Sequence, residues 1–138
     1  MKGQYLTIEY VLFFAIGIAM VVGVYVLFTN INENTRADSI NMQLEKTNEL
    51  IRDSIVNVYN AGSRTDSLII YNLQIPARLS GHIYTVKYDG NINVNSTQNY
   101  KIGSVLTLYN INIKPSANIY STQGKVQIKY DNGWVELL

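Results

Sequence analysis

From Tyr10 to Phe28 the chain runs 19 residues without a charge, dominated by Val, Leu, Ile and Phe. A helix rises about 1.5 Å per residue, so this length roughly covers the hydrocarbon core of a bilayer. The expectation is one membrane-spanning helix. A cleaved secretory signal would follow its apolar stretch with small residues of the Ala-x-Ala kind; Thr29-Asn30-Ile31-Asn32 follows here, so the stretch is expected to be retained. Lys2 is the only charge ahead of Glu9, and Glu33 is the first beyond the span. The positive-inside rule then favours a cytoplasmic N-terminus with the rest of the chain outside.

Two features separate this span from a plain anchor. Ala15, Ala19 and Gly23 recur every fourth residue, a spacing that lines small side chains along one face where another helix can approach closely. Glu9 stands at the border of the apolar run. A carboxylate costs about 2.5–3.5 kcal/mol at the centre of a membrane helix, less near the interface, so a partner is expected for it. Small-residue spacing also arises by chance, and Glu9 equally suits a span that begins in headgroup water.

Composition narrows the functional classes. Charged residues are 15% of the 138, against about 25% in ordinary soluble chains, and 16 Asn, 9 Ser and 9 Thr supply neutral polarity instead. The net charge of +1 and the lack of any Lys/Arg run leave no footprint for duplex nucleic acid, so no nucleic-acid partner is expected. With no Cys and one His, His82, disulfides, thiolate catalysis and multi-histidine metal sites are excluded.

The segment Lys2-Gly3-Gln4-Tyr5-Leu6-Thr7-Ile8-Glu9-Tyr10, running straight into the apolar helix, resembles the class III signal peptide of archaeal type IV pilins and related filament subunits. The resemblance implies a leader of residues 1–3, cut between Gly3 and Gln4 by a prepilin-type membrane peptidase, with the apolar segment kept on the mature subunit. Thr7 stands where the family carries Ser, and Glu9 stands for its early glutamate, one residue later than usual. By the same resemblance the partners would be further copies of the chain, joined through the N-terminal helix, together with a pilus assembly ATPase and a membrane platform protein. The physics of such a subunit fits these residues. A cut after Gly3 would free a cationic amine at Gln4, which Glu9 of a neighbouring copy could neutralise. Loss of Lys2 would free the helix to leave the bilayer, since drawing an ammonium through hydrocarbon is unfavourable.

Beyond the span, Thr29 to Thr35 holds three Asn and two Thr, residues that compete for backbone hydrogen bonds, and a bend or melted turn is expected there. Ile40, Leu44, Ile51, Ile55 and Val58 then follow a helical period, with Glu49 and Arg52 or Asp53 as solvated charge. Asn60-Ala61-Gly62-Ser63 is the expected stop. A helix over residues 4–62 would be roughly 85 Å long. The Ile40–Val58 stripe is read as the face on which a β domain packs. A coiled coil with another chain is the alternative, and polar Thr47 and Asn48 in the stripe count against it.

From residue 66 to 138 the pattern turns to period two. Ile69-Tyr71-Leu73-Ile75, Tyr84-Val86-Tyr88, Ile92-Val94, Val105 to Ile113, Val126-Ile128-Tyr130 and Trp134 to Leu138 read as strands. Asp89-Gly90 and Asp131-Asn132-Gly133 are the turns. The fold class is therefore α+β: a long N-terminal helix followed by an antiparallel β-sheet or small β-sandwich of six or seven strands.

No phosphate loop, nucleophile elbow or metal-ligand cluster occurs. Acidic residues in the β part are only Asp66, Asp89, Asp131 and Glu136, so neither an enzyme nor a cofactor is expected. Asn95-Ser96-Thr97 is the one glycosylation sequon, close to a predicted hairpin. Seven Tyr and Trp134 in this part suit strands and core, or alternatively subunit contact and sugar stacking. The expected function is a structural subunit of an archaeal type IV pilus-like extracellular filament, serving adhesion or cell-cell aggregation, with a membrane-inserted precursor. A permanently anchored ectodomain, such as a stator-like accessory of the archaeal swimming filament, is the alternative; a secreted hydrolase has only the external location in its favour.

Overall fold

The computed structural model describes residues 2–99 and 101–138, with side chains from Thr7 onward. Among the described residues one α-helix, α1 (Lys2–Thr65), precedes seven strands: β1 (Ile69–Gln74), β2 (Tyr84–Tyr88), β3 (Asn91–Ser96), β4 (Gly103–Thr107), β5 (Ile119–Tyr120), β6 (Lys125–Asp131) and β7 (Trp134–Leu137). The chain divides into two compact units, residues 1–37 and 38–138. The boundary lies within α1, so the second half of the helix belongs with the strands.

Over its described residues the first unit is helix alone. The expected melted turn at Thr29 to Thr35 is absent: these residues are helical, and the two threonine hydroxyls donate to the carbonyls one turn back, Thr29 to Tyr25 at 2.9 Å and Thr35 to Ile31 at 2.8 Å. Their side chains bond along the helix instead of competing with it.

In the second unit the strands form two antiparallel sheets, β1-β6-β7 and β4-β3-β2-β5. An α+β fold with antiparallel sheets is therefore what this chain adopts. The helical stripe is the docking face: Ile40, Leu44, Ile51, Ile55 and Val58 are buried, and so are Thr47 and Asn48 between them. Val126, Ile128 and Tyr130 of β6, with Val135 and Leu137 of β7, supply the first sheet's core side. Tyr84, Val86 and Tyr88 of β2, with Ile92 and Val94 of β3, supply the second's. Alternate residues of these strands point outward, as strand geometry requires.

Two local readings are corrected. The helix does not stop at Asn60 to Ser63 but at Thr65, where Asp66 takes a left-handed φ of 46°. Gly62 serves a close approach instead, because a Cβ there would collide with the Tyr130 ring. Next, the run Val105 to Ile113 is a strand only through Thr107, and its phase is inverted. Val105 is 58% exposed and Tyr109 79% exposed, while Ser104 and Leu106 are half-buried. Asn110, at φ 62°, breaks the run, and Ile113 makes a parallel bridge to Val135. The solvated charge on this helix face is organised as a pair between neighbours, Arg52 and Asp53 at 3.0 Å. The Asn132-Gly133 turn between β6 and β7 is as expected, with both φ positive at 47° and 83°.

Candidate functional site

The N-terminal unit carries the strongest candidate site. Every side chain from Thr7 to Arg36 is exposed, including Phe13, Phe14, Tyr25 and Phe28 at 62–72%. Soluble proteins rarely leave so much contiguous apolar surface in water. By length and composition this helix can cross a membrane.

Glu9, Ala15, Ala19 and Gly23 all lie on this bare surface. At 100° per residue the three small residues drift over about 80° of the helix circumference, and Glu9 falls about 80° from the middle of that arc. Glu9 therefore flanks the stripe rather than lying within it. A Cβ at Gly17 or Gly23 would meet nothing within 4 Å. Glu9 forms no ion pair with any described residue. The Gly3–Gln4 peptide lies in the first turn of α1, while Met1 lies outside the described residues, as do the side chains of Lys2, Gln4, Tyr5 and Leu6.

The β part brings together no catalytic constellation among the described residues. Asp89 is held by Lys87 at 3.2 Å, Asp131 by Lys129 at 3.4 Å and Glu136 by Lys114 at 4.0 Å. No group of three or more His, Asp or Glu that could hold a metal is found among the described residues. His82 is structural in its contacts: its Nδ1 lies 3.2 Å from Ser96 Oγ, and that oxygen accepts from the amides of Gln98 and Asn99.

Asn95 is not in a loop. It lies within β3, half-buried, between Thr85 of β2 and Gly103 of β4. Its side chain covers Gly103, where a Cβ would collide with Asn95 Oδ1. The tyrosines divide: Tyr84, Tyr88 and Tyr130 are buried, whereas Tyr71, Tyr109 and Tyr120 are exposed, as is Trp134. Tyr100 lies outside the described residues.

Two polar anchors were not foreseen. Asn48 is fully buried, its Nδ2 donating to the Ile92 and Ser104 carbonyls at 3.1 Å each. Ser121, also fully buried, donates to the Ala77 carbonyl at 2.8 Å and accepts from the Tyr84 amide at 3.1 Å. Asn48 had a signal, since it sits at a core position between Leu44 and Ile51; Ser121 had none.

No family model matches the chain, and no curated protein or solved structure matches it.

Proposed function

We propose that the chain is a pilin-like structural subunit, membrane-inserted as a precursor and assembled with further copies into an extracellular filament for adhesion or cell-cell aggregation. The observation that supports this reading best is the fully exposed apolar helix surface bordered by a single carboxylate, Glu9. Lipid would cover that surface in the precursor, and the helices of other copies would cover it in a filament. Small residues at Ala15, Ala19 and Gly23 allow such helices to approach closely. The Lys2-Gly3 pair just ahead supplies the processing step: once cut, the Gln4 amine is the cation that a neighbouring Glu9 lacks among the described residues of its own chain. The processing peptidase, the assembly ATPase and the platform protein are the membrane partners this reading requires.

N-terminal sequencing of the protein from its native cells tests the proposal. A start at Gln4 on material sheared from the cell surface is the expected result. An uncut N-terminus confined to the membrane fraction would instead favour the permanently anchored ectodomain.

A further inference from the structure

Between the packed half of α1 and the segment that leaves β4 lies a hollow of about 520 Å³, whose lining includes Arg52, Val56, Tyr59 and Asn60 of the helix and Tyr109 and Asn110 of the segment. Its size is that of a small-ligand site, which runs from about 300 to 1,000 Å³. The helical four fall at positions i, i+4, i+7 and i+8, so one face of α1 presents them together.

The two aromatic side chains are placed in opposite ways. Tyr59 is half-buried, and its ring meets that of Tyr130 edge-on at a 6.0 Å centroid distance. Tyr109 is 79% exposed, more than any other large apolar side chain among the described residues. At that exposure its ring contributes little to the packing of the second unit. The backbone around it is nevertheless pinned on both sides. Asn110 takes a φ of 62°, a left-handed value that Asn tolerates better than most residues, and Thr107 donates to Asn91 Oδ1 at 2.8 Å. An aromatic ring held in water on a loop above a rigid scaffold is placed for contact with another molecule.

The polar groups around the hollow are unspent. Among the described residues no hydrogen bond engages the side-chain amides of Asn60 and Asn110 or the hydroxyls of Tyr59 and Tyr109. Arg52 donates from Nε and Nη2 to Asp53 Oδ1, at 3.2 and 3.0 Å, which leaves Nη1 to donate elsewhere and cancels the local charge. A charged ligand therefore meets no net counter-charge here. A purely apolar one would strip water from two amides and a guanidinium without replacing their bonds. A pyranose suits both kinds of wall: its C–H face carries the slight positive charge that an aromatic face attracts, and its hydroxyls both donate and accept. We infer that this hollow binds a neutral saccharide, with Tyr109 stacking on a sugar face while Arg52 and the amides of Asn60 and Asn110 bond the ring hydroxyls. The site gives the adhesive role proposed above a ligand class and rests on that role only for its use; the binding itself is a property of the single chain.

Calorimetric titration of the full chain, in a detergent without sugar headgroups, tests the site with soluble trisaccharides of glucose, N-acetylglucosamine, galactose and mannose as probes. At least one should bind with a Kd of about 1 mM or tighter. Tyr109→Ala truncates a side chain the fold does not pack, so circular dichroism should be unchanged while binding weakens about tenfold; Tyr109→Phe keeps the ring and should stay within about threefold of the parent. Asn60→Ala, exposed on the helix, reads the same site independently and should weaken binding about threefold. Tyr120→Ala, at an exposed tyrosine of β5 outside the hollow, is the control and should change nothing. No heat with any of these sugars, equal losses from Tyr109→Ala and Tyr120→Ala, or a tighter response to inorganic phosphate or acetate would each overturn the inference. Each of those results would leave the filament reading standing, since that reading is decided at the N-terminus.

Discussion

Asn48, at the centre of the packed helix face, is bonded through its side-chain amide to the Ile92 carbonyl of β3 at 3.1 Å, and this bond fixes where the helix sits along the second sheet. The same amide reaches the Ser104 carbonyl of β4 at 3.1 Å, while Asn48 Oδ1 is buried without a partner among the described residues. Asn48→Ala should cost about 2–4 kcal/mol, combining a cavity with lost buried bonds. Asn48→Asp should cost more at neutral pH, because it sets an anionic oxygen against two carbonyls. Its carboxyl would then be protonated more easily when folded than when unfolded, so the deficit should shrink as the pH falls toward about 4. Denaturant unfolding of the detergent-solubilised chain, followed by circular dichroism, measures both.

The glycines of α1 should behave oppositely. Replacing Gly by Ala in a helix normally gains about 0.5–1 kcal/mol. At Gly62 the added methyl collides with the ring of Tyr130, which is buried and braced edge-on by Tyr59 at a 6.0 Å centroid distance. Gly62→Ala should therefore destabilise the second unit by about 1–3 kcal/mol. At Gly23 an added Cβ meets nothing within 4 Å, so Gly23→Leu should not lower stability while lowering filament yield, if that face receives another helix. Unfolding curves and sheared-filament yields separate the two effects.

What the amino-acid pattern disclosed follows from how local each signal is. The apolar span, the Ile40–Val58 stripe and the Asn132-Gly133 turn are set by neighbours within a few residues, and they emerged. The helix end did not, because Gly62 carries a packing role against Tyr130, 68 positions along the chain, that mimics a stop signal. The strand phase at Val105 failed because an edge strand can turn its apolar residues to solvent. The sequon at Asn95 was placed only as close to a hairpin, because its cross-strand packing on Gly103, which holds it in β3, is not a local signal. Of the N-terminal residues, the bare surface around Glu9 was legible, and what covers it is a property of other molecules.

Tyr84 couples the second sheet to pH. Its hydroxyl donates to the Pro76 carbonyl at 2.6 Å, and burial pushes its pKa from 10.0 to about 12. The unfolded chain releases this proton first, so stability is complete below about pH 10 and declines toward pH 12, by on the order of 2–3 kcal/mol. Tyr84→Phe should lose about 1–2 kcal/mol at neutral pH, leaving the Pro76 carbonyl without its donor, and should remove this part of the alkaline decline. Stability measured at pH 8 and at pH 11.5 for both chains checks the sign.

Glu9→Gln tests the proposed counter-ion directly. The side chain is exposed and forms no ion pair with any described residue, so its replacement disturbs nothing in its own fold. A neutral amide enters a membrane border at least as readily as a carboxylate, and insertion should be unchanged. Assembly should fall at least tenfold, because the amine freed at Gln4 would then meet an uncharged partner in a water-poor helix bundle, where an unpaired charge is costly. Comparing the membrane fraction with the sheared surface fraction reads both quantities in one preparation. Normal filament yield from this variant would remove Glu9 from the mechanism and leave assembly to the packing of Ala15, Ala19 and Gly23 alone.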